Sequence, residues 1–134
     1  MTLTLGRLDH VNIRTGNLDG MVAWYASMLE MHAGPRPDFP FPGAWLYVGD
    51  APFIHLIGVE PTPTGPQKDL HLEHFAFSAS GLGTLLARAK DAGERAGVNR
   101  VPGFPIVQVN LWDPDGNHLH IDFDVAEADA LGLP

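Results

Sequence analysis

Leu72-Glu73-His74-Phe75-Ala76-Phe77 (LEHFAF) repeats, 64 residues later, the pattern of Leu8-Asp9-His10-Val11-Asn12-Ile13 (LDHVNI): leucine, carboxylate, histidine, then an apolar residue at every second place. Apolar residues with period two mark both stretches as strands. A second match follows at an offset of 65, where Phe53-Ile54-His55-Leu56-Ile57 (FIHLI) falls on His118-Leu119-His120-Ile121-Asp122 (HLHID). A repeat of this kind constrains the whole fold, because each copy must solve the same packing problem.

Each half reads as strand, helix and hairpin. In the first, a strand over Leu8–Thr15 precedes an amphipathic run, Leu18–Met31, for which Asn17 and Asp19 are N-cap candidates and Gly34-Pro35 the expected stop. Ala44–Asp50 and Pro52–Gly58 then form strands joined around Gly49-Asp50. The Pro- and Gly-rich segment Val59–Asp69 lacks apolar periodicity and reads as the linker. In the second half a strand over Leu72–Ala79, a helix over Leu82–Gly97 and a strand over Ile106–Asp113 are followed by Asn117–Phe123, which returns across the turn Asp113-Pro114-Asp115-Gly116 (DPDG). One half alone leaves a face uncovered, so two copies are expected to pack about a pseudo-twofold axis. Near such an axis equivalent residues converge: His10 with His74, and His55 with His120.

The bulk numbers narrow the chemistry. With 134 residues, 45% of them hydrophobic, one folded domain is expected. Eight Lys and Arg against sixteen Asp and Glu give a net charge of -8 and no basic stripe, so nucleic acid and anionic membrane are excluded as expected partners. No apolar run reaches the roughly 18 residues of a spanning helix. The N-terminal MTLTLGRLDH lacks the basic start and apolar middle of a secretory signal, so a cytoplasmic location is expected. The absence of cysteine restricts any metal site to imidazole and oxygen ligands. Neutral imidazole suits Zn, Fe, Ni and Cu, and four imidazoles on rigid strands make a candidate metal site.

His118, His120 and Asp122 share one face of the last strand, and Leu119, Ile121 and Phe123 take the other. A single strand histidine is more often a hydrogen-bonded structural residue than a ligand, and it is the symmetry of the set that favours metal. His118 reads as the wet end of the strand, and His32 and His71 read as surface. Asp122 either orients an imidazole, acts as a displaced general base, or caps the strand at the surface. Asn12 and Arg14 point the same way as His10, and Trp45 and Tyr47 share a face of the hairpin before His55. These four are the candidate substrate-binding residues. The plainer alternatives are a surface ion pair for Arg14 and ordinary core or interface packing for the two aromatics.

LDHVNI with WYASMLEM, LEHFAFS with LLARAKDAG, and the closing DPDGNHLHI together resemble the vicinal oxygen chelate superfamily, which includes glyoxalase I, methylmalonyl-CoA epimerase, fosfomycin- and bleomycin-resistance proteins and extradiol dioxygenases. The resemblance implies an α+β fold of two tandem βαβββ modules in a curved, half-open barrel around a divalent metal. The modules would span roughly 5–60 and 70–125 of a single glyoxalase-like domain, 1–134. It implies His10, His74 and His120 as metal ligands, with His55 either a fourth ligand or a group that steadies one. It also implies a homodimer, with sites shared or module-swapped between chains. His120 is a departure, since the family usually has a glutamate there that binds metal and, in glyoxalase-type reactions, takes a proton from carbon. Three neutral imidazoles leave the ion its full charge as a Lewis acid, but the carboxylate base is gone. The resemblance therefore favours dioxygenase-like chemistry on Fe or Mn over a glyoxalase-type lyase or isomerase on Zn or Ni. A bleomycin-resistance-like protein that binds a small molecule without catalysis is the third reading.

Overall fold

The computed structural model describes residues 2–61, 63 and 71–134. They divide into two compact units, Met1–Thr64 and Gly65–Pro134. Of the expected linker Val59–Asp69, residues 62 and 64–69 lie outside the described residues.

The first unit runs β1 (Val11–Thr15), α1 (Leu18–Leu29), β2 (His32–Gly34), β3 (Gly43–Val48) and β4 (Ala51–Gly58). The second repeats the order as β5 (Phe75–Ser78), α2 (Leu82–Asp91), β6 (Gly97–Arg100), β7 (Ile106–Trp112) and β8 (His118–Asp124), then adds α3 (Val125–Ala130). Each unit is a βαβββ module with a four-stranded mixed sheet, ordered β1-β4-β3-β2 and β5-β8-β7-β6. Neither sheet closes on itself.

The strand registers display the repeat. Val11 pairs with Ile54 in the parallel ladder of β1 and β4, and Phe75 pairs with Leu119 in that of β5 and β8. In the same ladders Asn12 lies opposite His55, and Ala76 opposite His120. These are the offsets of 64 and 65 read from the sequence, now as geometry.

Alternation decides which face is buried. Leu119, Ile121 and Phe123 of β8 are at most 3% exposed, and Val107, Val109 and Leu111 of β7 are wholly buried. These residues form the apolar side of the second sheet, with Leu82, Leu85 and Ala89 of α2 also buried. Met21, Trp24, Tyr25 and Met28, at helical spacing on α1, do the same in the first unit with Leu46, Ile54 and Leu56. Each large side chain so buried contributes roughly 1.5–3 kcal/mol. The opposite faces are thereby left for polar groups.

Two helix ends differ from the sequence reading. The first helix ends at Leu29 rather than running to Met31, because Glu30 turns left-handed (φ 58°) and the N–H of Met31 closes on the Tyr25 carbonyl. The second ends at Asp91 rather than Gly97. Gly93, at φ 68°, lets the N–H of Glu94 reach the Ala89 carbonyl at 2.8 Å, a turn that glycine makes without Cβ strain. The chain released by these early stops forms β2 and β6, so each half carries a further strand beyond the simple hairpin. No helix among the described residues is long and apolar enough to cross a membrane.

Candidate functional site

In the first unit three rings form a column. His10, the residue before β1, stacks on His55 of β4 with centroids 3.8 Å apart and planes 9° apart, and His55 stacks on Trp45 of β3 at 3.9 Å and 11°. Trp45 lies directly opposite His55 in the antiparallel ladder, which puts the two rings on one side of the sheet. His10 places Nδ1 at 2.7 Å from Asp9 Oδ2. His55 is 7% exposed, and its Nε2 is buried without a hydrogen-bond partner. Burial, and then the neighbouring charge of His10, hold His55 below the ordinary histidine range. A neutral imidazole with its lone pair unclaimed is the form that binds a metal ion.

The other first-unit candidates are Asn12, Arg14 and Tyr47. Asn12 and Arg14 are exposed on β1, at alternate positions beyond His10. Tyr47 donates its hydroxyl to the Pro35 carbonyl and lies beside His32, with ring centroids 5.9 Å apart. Gly34 permits this, since a Cβ there would sit 2.7 Å from the Tyr47 ring. Trp45 is thus brought to the histidines, whereas Tyr47 is tied to the loop beyond β2.

In the second unit His74 precedes β5 as His10 precedes β1. Its ring lies 4.6 Å from that of His120 and 5.2 Å from that of His118. His120, 7% exposed, faces Asp122 Oδ1 through Nδ1 at 2.6 Å. Asp122 is therefore paired within the site rather than capping the strand at the surface. It holds an imidazole, as one of the sequence alternatives had it. Its carboxylate accepts, so the Nδ1 of His120 carries the proton and Nε2 the lone pair.

His118 is the clearest correction. Its side chain is 15% exposed rather than wet, and it lies against Trp112 with centroids 5.1 Å apart and planes 13° apart. Nδ1 faces Glu73 Oε1 at 3.1 Å and Nε2 faces Asn110 Oδ1 at 2.8 Å. Glu73 also bonds the Nδ1 of His74 through its other oxygen. Hydrogen bonds from these two histidines keep the Glu73 carboxyl below its usual range. Among the described residues Glu73, His74 and His118 present ligand atoms all within 4.8 Å of one another, a group able to hold a metal ion.

Sequence reading missed Glu73 and Asn110. A signal for Glu73 was present: in both repeats a carboxylate directly precedes the first-strand histidine, as Asp9-His10 and Glu73-His74. In both units that carboxylate bonds the adjoining imidazole at Nδ1.

The family model of the Glyoxalase/Bleomycin resistance protein/Dioxygenase superfamily matches residues 7–121, from before β1 to within β8. The chain belongs to this superfamily. Solved structures share its fold. A glyoxylase/bleomycin resistance protein/dioxygenase domain from Frankia sp. EAN1pec is 20% identical with a TM-score of 0.76, covering 90% of this chain and 93% of that one. A trypanothione-dependent glyoxalase I from Leishmania major is 18% identical with a TM-score of 0.69, covering 96% and 94%. A lactoylglutathione lyase from Agrobacterium tumefaciens is 16% identical with a TM-score of 0.63, covering 85% and 90%. No curated protein sequence matches the chain. Within the superfamily the imidazole-rich donor set, with a nearby carboxylate and no thiolate, fits a divalent ion.

Proposed function

We propose that this superfamily member is a metal-dependent enzyme acting on a small oxygen-bearing substrate, with one divalent ion per site. The proposed ligands are His74 and His120 in the second unit and His10 and His55 in the first. One observation carries the reading: His10, His74 and His120 each turn Nδ1 to a carboxylate, Asp9, Glu73 and Asp122 in turn. A carboxylate behind an imidazole fixes its tautomer, raises its basicity and leaves Nε2 free to donate, which is how ligating histidines are held. The unpartnered buried Nε2 of His55 fits the same pattern.

When bound, the ion supplies Lewis-acid stabilisation to negative charge developing on substrate oxygens. The residues of this chain do the rest. Trp45 shields one face of His55 from water, and Asn12 and Arg14 offer a donor and a cation to a polar or anionic substrate group. With histidine at 120 and Asp122 engaged by that histidine, β8 offers no idle carboxylate to take a proton from carbon. That favours dioxygenase-like chemistry on Fe or Mn. Glu73 is the observation in favour of glyoxalase-type lyase or isomerase chemistry on Zn or Ni, since it brings a carboxylate to the same cluster.

The identity of the metal decides between the two. Iron with substrate-dependent O2 uptake supports the oxygenase, and zinc or nickel with exchange of a substrate C–H proton into solvent supports the lyase or isomerase. Protein that neither carries nor takes up a divalent ion contradicts both and leaves the binding-protein reading. The proposed assembly is a homodimer, to be checked by light scattering.

A further inference from the structure

Four side chains on β6, β7 and β8 are joined by hydrogen bonds donated from His118 through Asn110 and Asn99 to Gln108, and the other nitrogen of His118 faces Glu73. Asn99 Nδ2 donates to Gln108 Oε1 at 3.2 Å, so Asn99 must turn its oxygen the other way. Asn110 Nδ2 donates to that Asn99 oxygen at 2.8 Å and to the Gly97 carbonyl at 3.4 Å. With its NH2 committed, Asn110 presents Oδ1 to His118 Nε2 at 2.8 Å. An amide oxygen only accepts, so His118 Nε2 is a donor. His118 Nδ1 faces Glu73 Oε1 at 3.1 Å, and Glu73 places its second oxygen on His74 Nδ1.

Both nitrogens of His118 therefore face protein acceptors, Asn110 Oδ1 and Glu73 Oε1. A ligand role through Nε2 would break the bond to Asn110 and leave a half-buried acceptor unpaired. The cross-strand registers explain how the series is built: Asn99 lies opposite Gln108, and Asn110 lies opposite both Gly97 and His120. In the first unit the place opposite His55, which matches Asn110, is taken by Trp45, so this series belongs to the second unit alone.

We propose that Asn99, Asn110 and His118 are positioning residues: the aligned amides hold His118, His118 holds Glu73, and Glu73 fixes His74 in the Nδ1–H tautomer, with His118 itself outside the metal-ligand set. The ligand part of this inference rests on the metal reading above. The tautomer part stands without it.

The test begins with imidazole 15N spectra of metal-free protein. Wild type is expected to show His74 as the Nδ1–H tautomer, and Asn110→Leu to shift it to a mixture. Asn99→Leu should act in the same direction but less, because Gly97 still accepts from Asn110. It is also the milder change if Asn110→Leu fails to fold. A His74 tautomer that is not Nδ1–H in wild type, or is unmoved in both variants, overturns the positioning role.

In the second arm Co(II) is bound to wild type and to His118→Gln. The number of coordinating imidazoles, read by X-ray absorption, is expected to be the same in both, with affinity about 10–100-fold weaker in the variant. Loss of one imidazole from the Co(II) shell overturns the exclusion of His118. Wild type that binds no Co(II), yet shows the tautomer response, contradicts the metal reading while upholding the positioning series.

Discussion

Asp122 shows what one side chain decides in this site. Two residues along β8 from His120, it lies on the same face because strand side chains alternate, and its carboxylate is 2.6 Å from Nδ1 of that histidine. Asp122→Ala removes the acceptor and frees the ring to rotate or change tautomer. Calorimetric titration with Co(II) is expected to show affinity weaker by about 10–100-fold, with the fold retained. His55 makes a different residue-scale prediction. Its folded pKa is depressed by burial, so the folded state favours the neutral ring and the unfolded chain takes up the proton first. Stability is then full above the ordinary value of 6.5 and declines as pH falls through and below it. Urea melts of metal-free protein should show that decline, and His55→Phe, which keeps a ring against Trp45, should reduce it.

At the scale of elements, the site depends on how β8 is delivered. Asp113 is 4% exposed, and its carboxylate accepts from the backbone N–H groups of Asp115 and Asn117, both at 3.0 Å, and from the Asn117 side chain. This closes the DPDG turn and sets the register in which Trp112 pairs with His118 and Asn110 with His120. Asp113→Ala leaves several donors without an acceptor and is expected to cost about 3 kcal/mol by chemical denaturation. One glycine within α2 and one just beyond its end give opposite expectations. Gly93→Ala places a Cβ at φ 68° and should cost roughly 1–2 kcal/mol. Gly83→Ala lies inside the helix, where a Cβ meets Leu131 at an ordinary 3.5 Å, and should stabilise by roughly 0.5–1 kcal/mol. Thermal melts of the pair check the sign of each.

For the whole molecule, much of the architecture was legible because the chain states it twice. Matching LDHVNI to LEHFAF and FIHLI to HLHID located the first and last strands of each module and the faces they share, since period two and burial leave a strand one workable face. β2 and β6 were implied by the family resemblance and not by alternation, because His32–Gly34 is too short to show a period and Gly97–Arg100 (GVNR) has only Val98 as a large apolar residue, itself 39% exposed. The helix ends escaped because a left-handed Glu30 is not written in its residue type. Within the site, residues on β8 were placed by alternation. Glu73 was marked only by the repeated carboxylate before histidine, and Asn110 and the true environment of His118 depend on contacts between elements, which sequence spacing does not report.

The central claim is that these imidazoles hold a divalent ion, and metal analysis of protein purified without added metal tests it most directly. A bound divalent ion at stoichiometric level is expected in wild type, and its loss in His74→Ala and in His120→Ala, each shown to be folded. Wild-type protein that emerges metal-free and takes up no Fe, Mn, Zn, Ni or Co would contradict it.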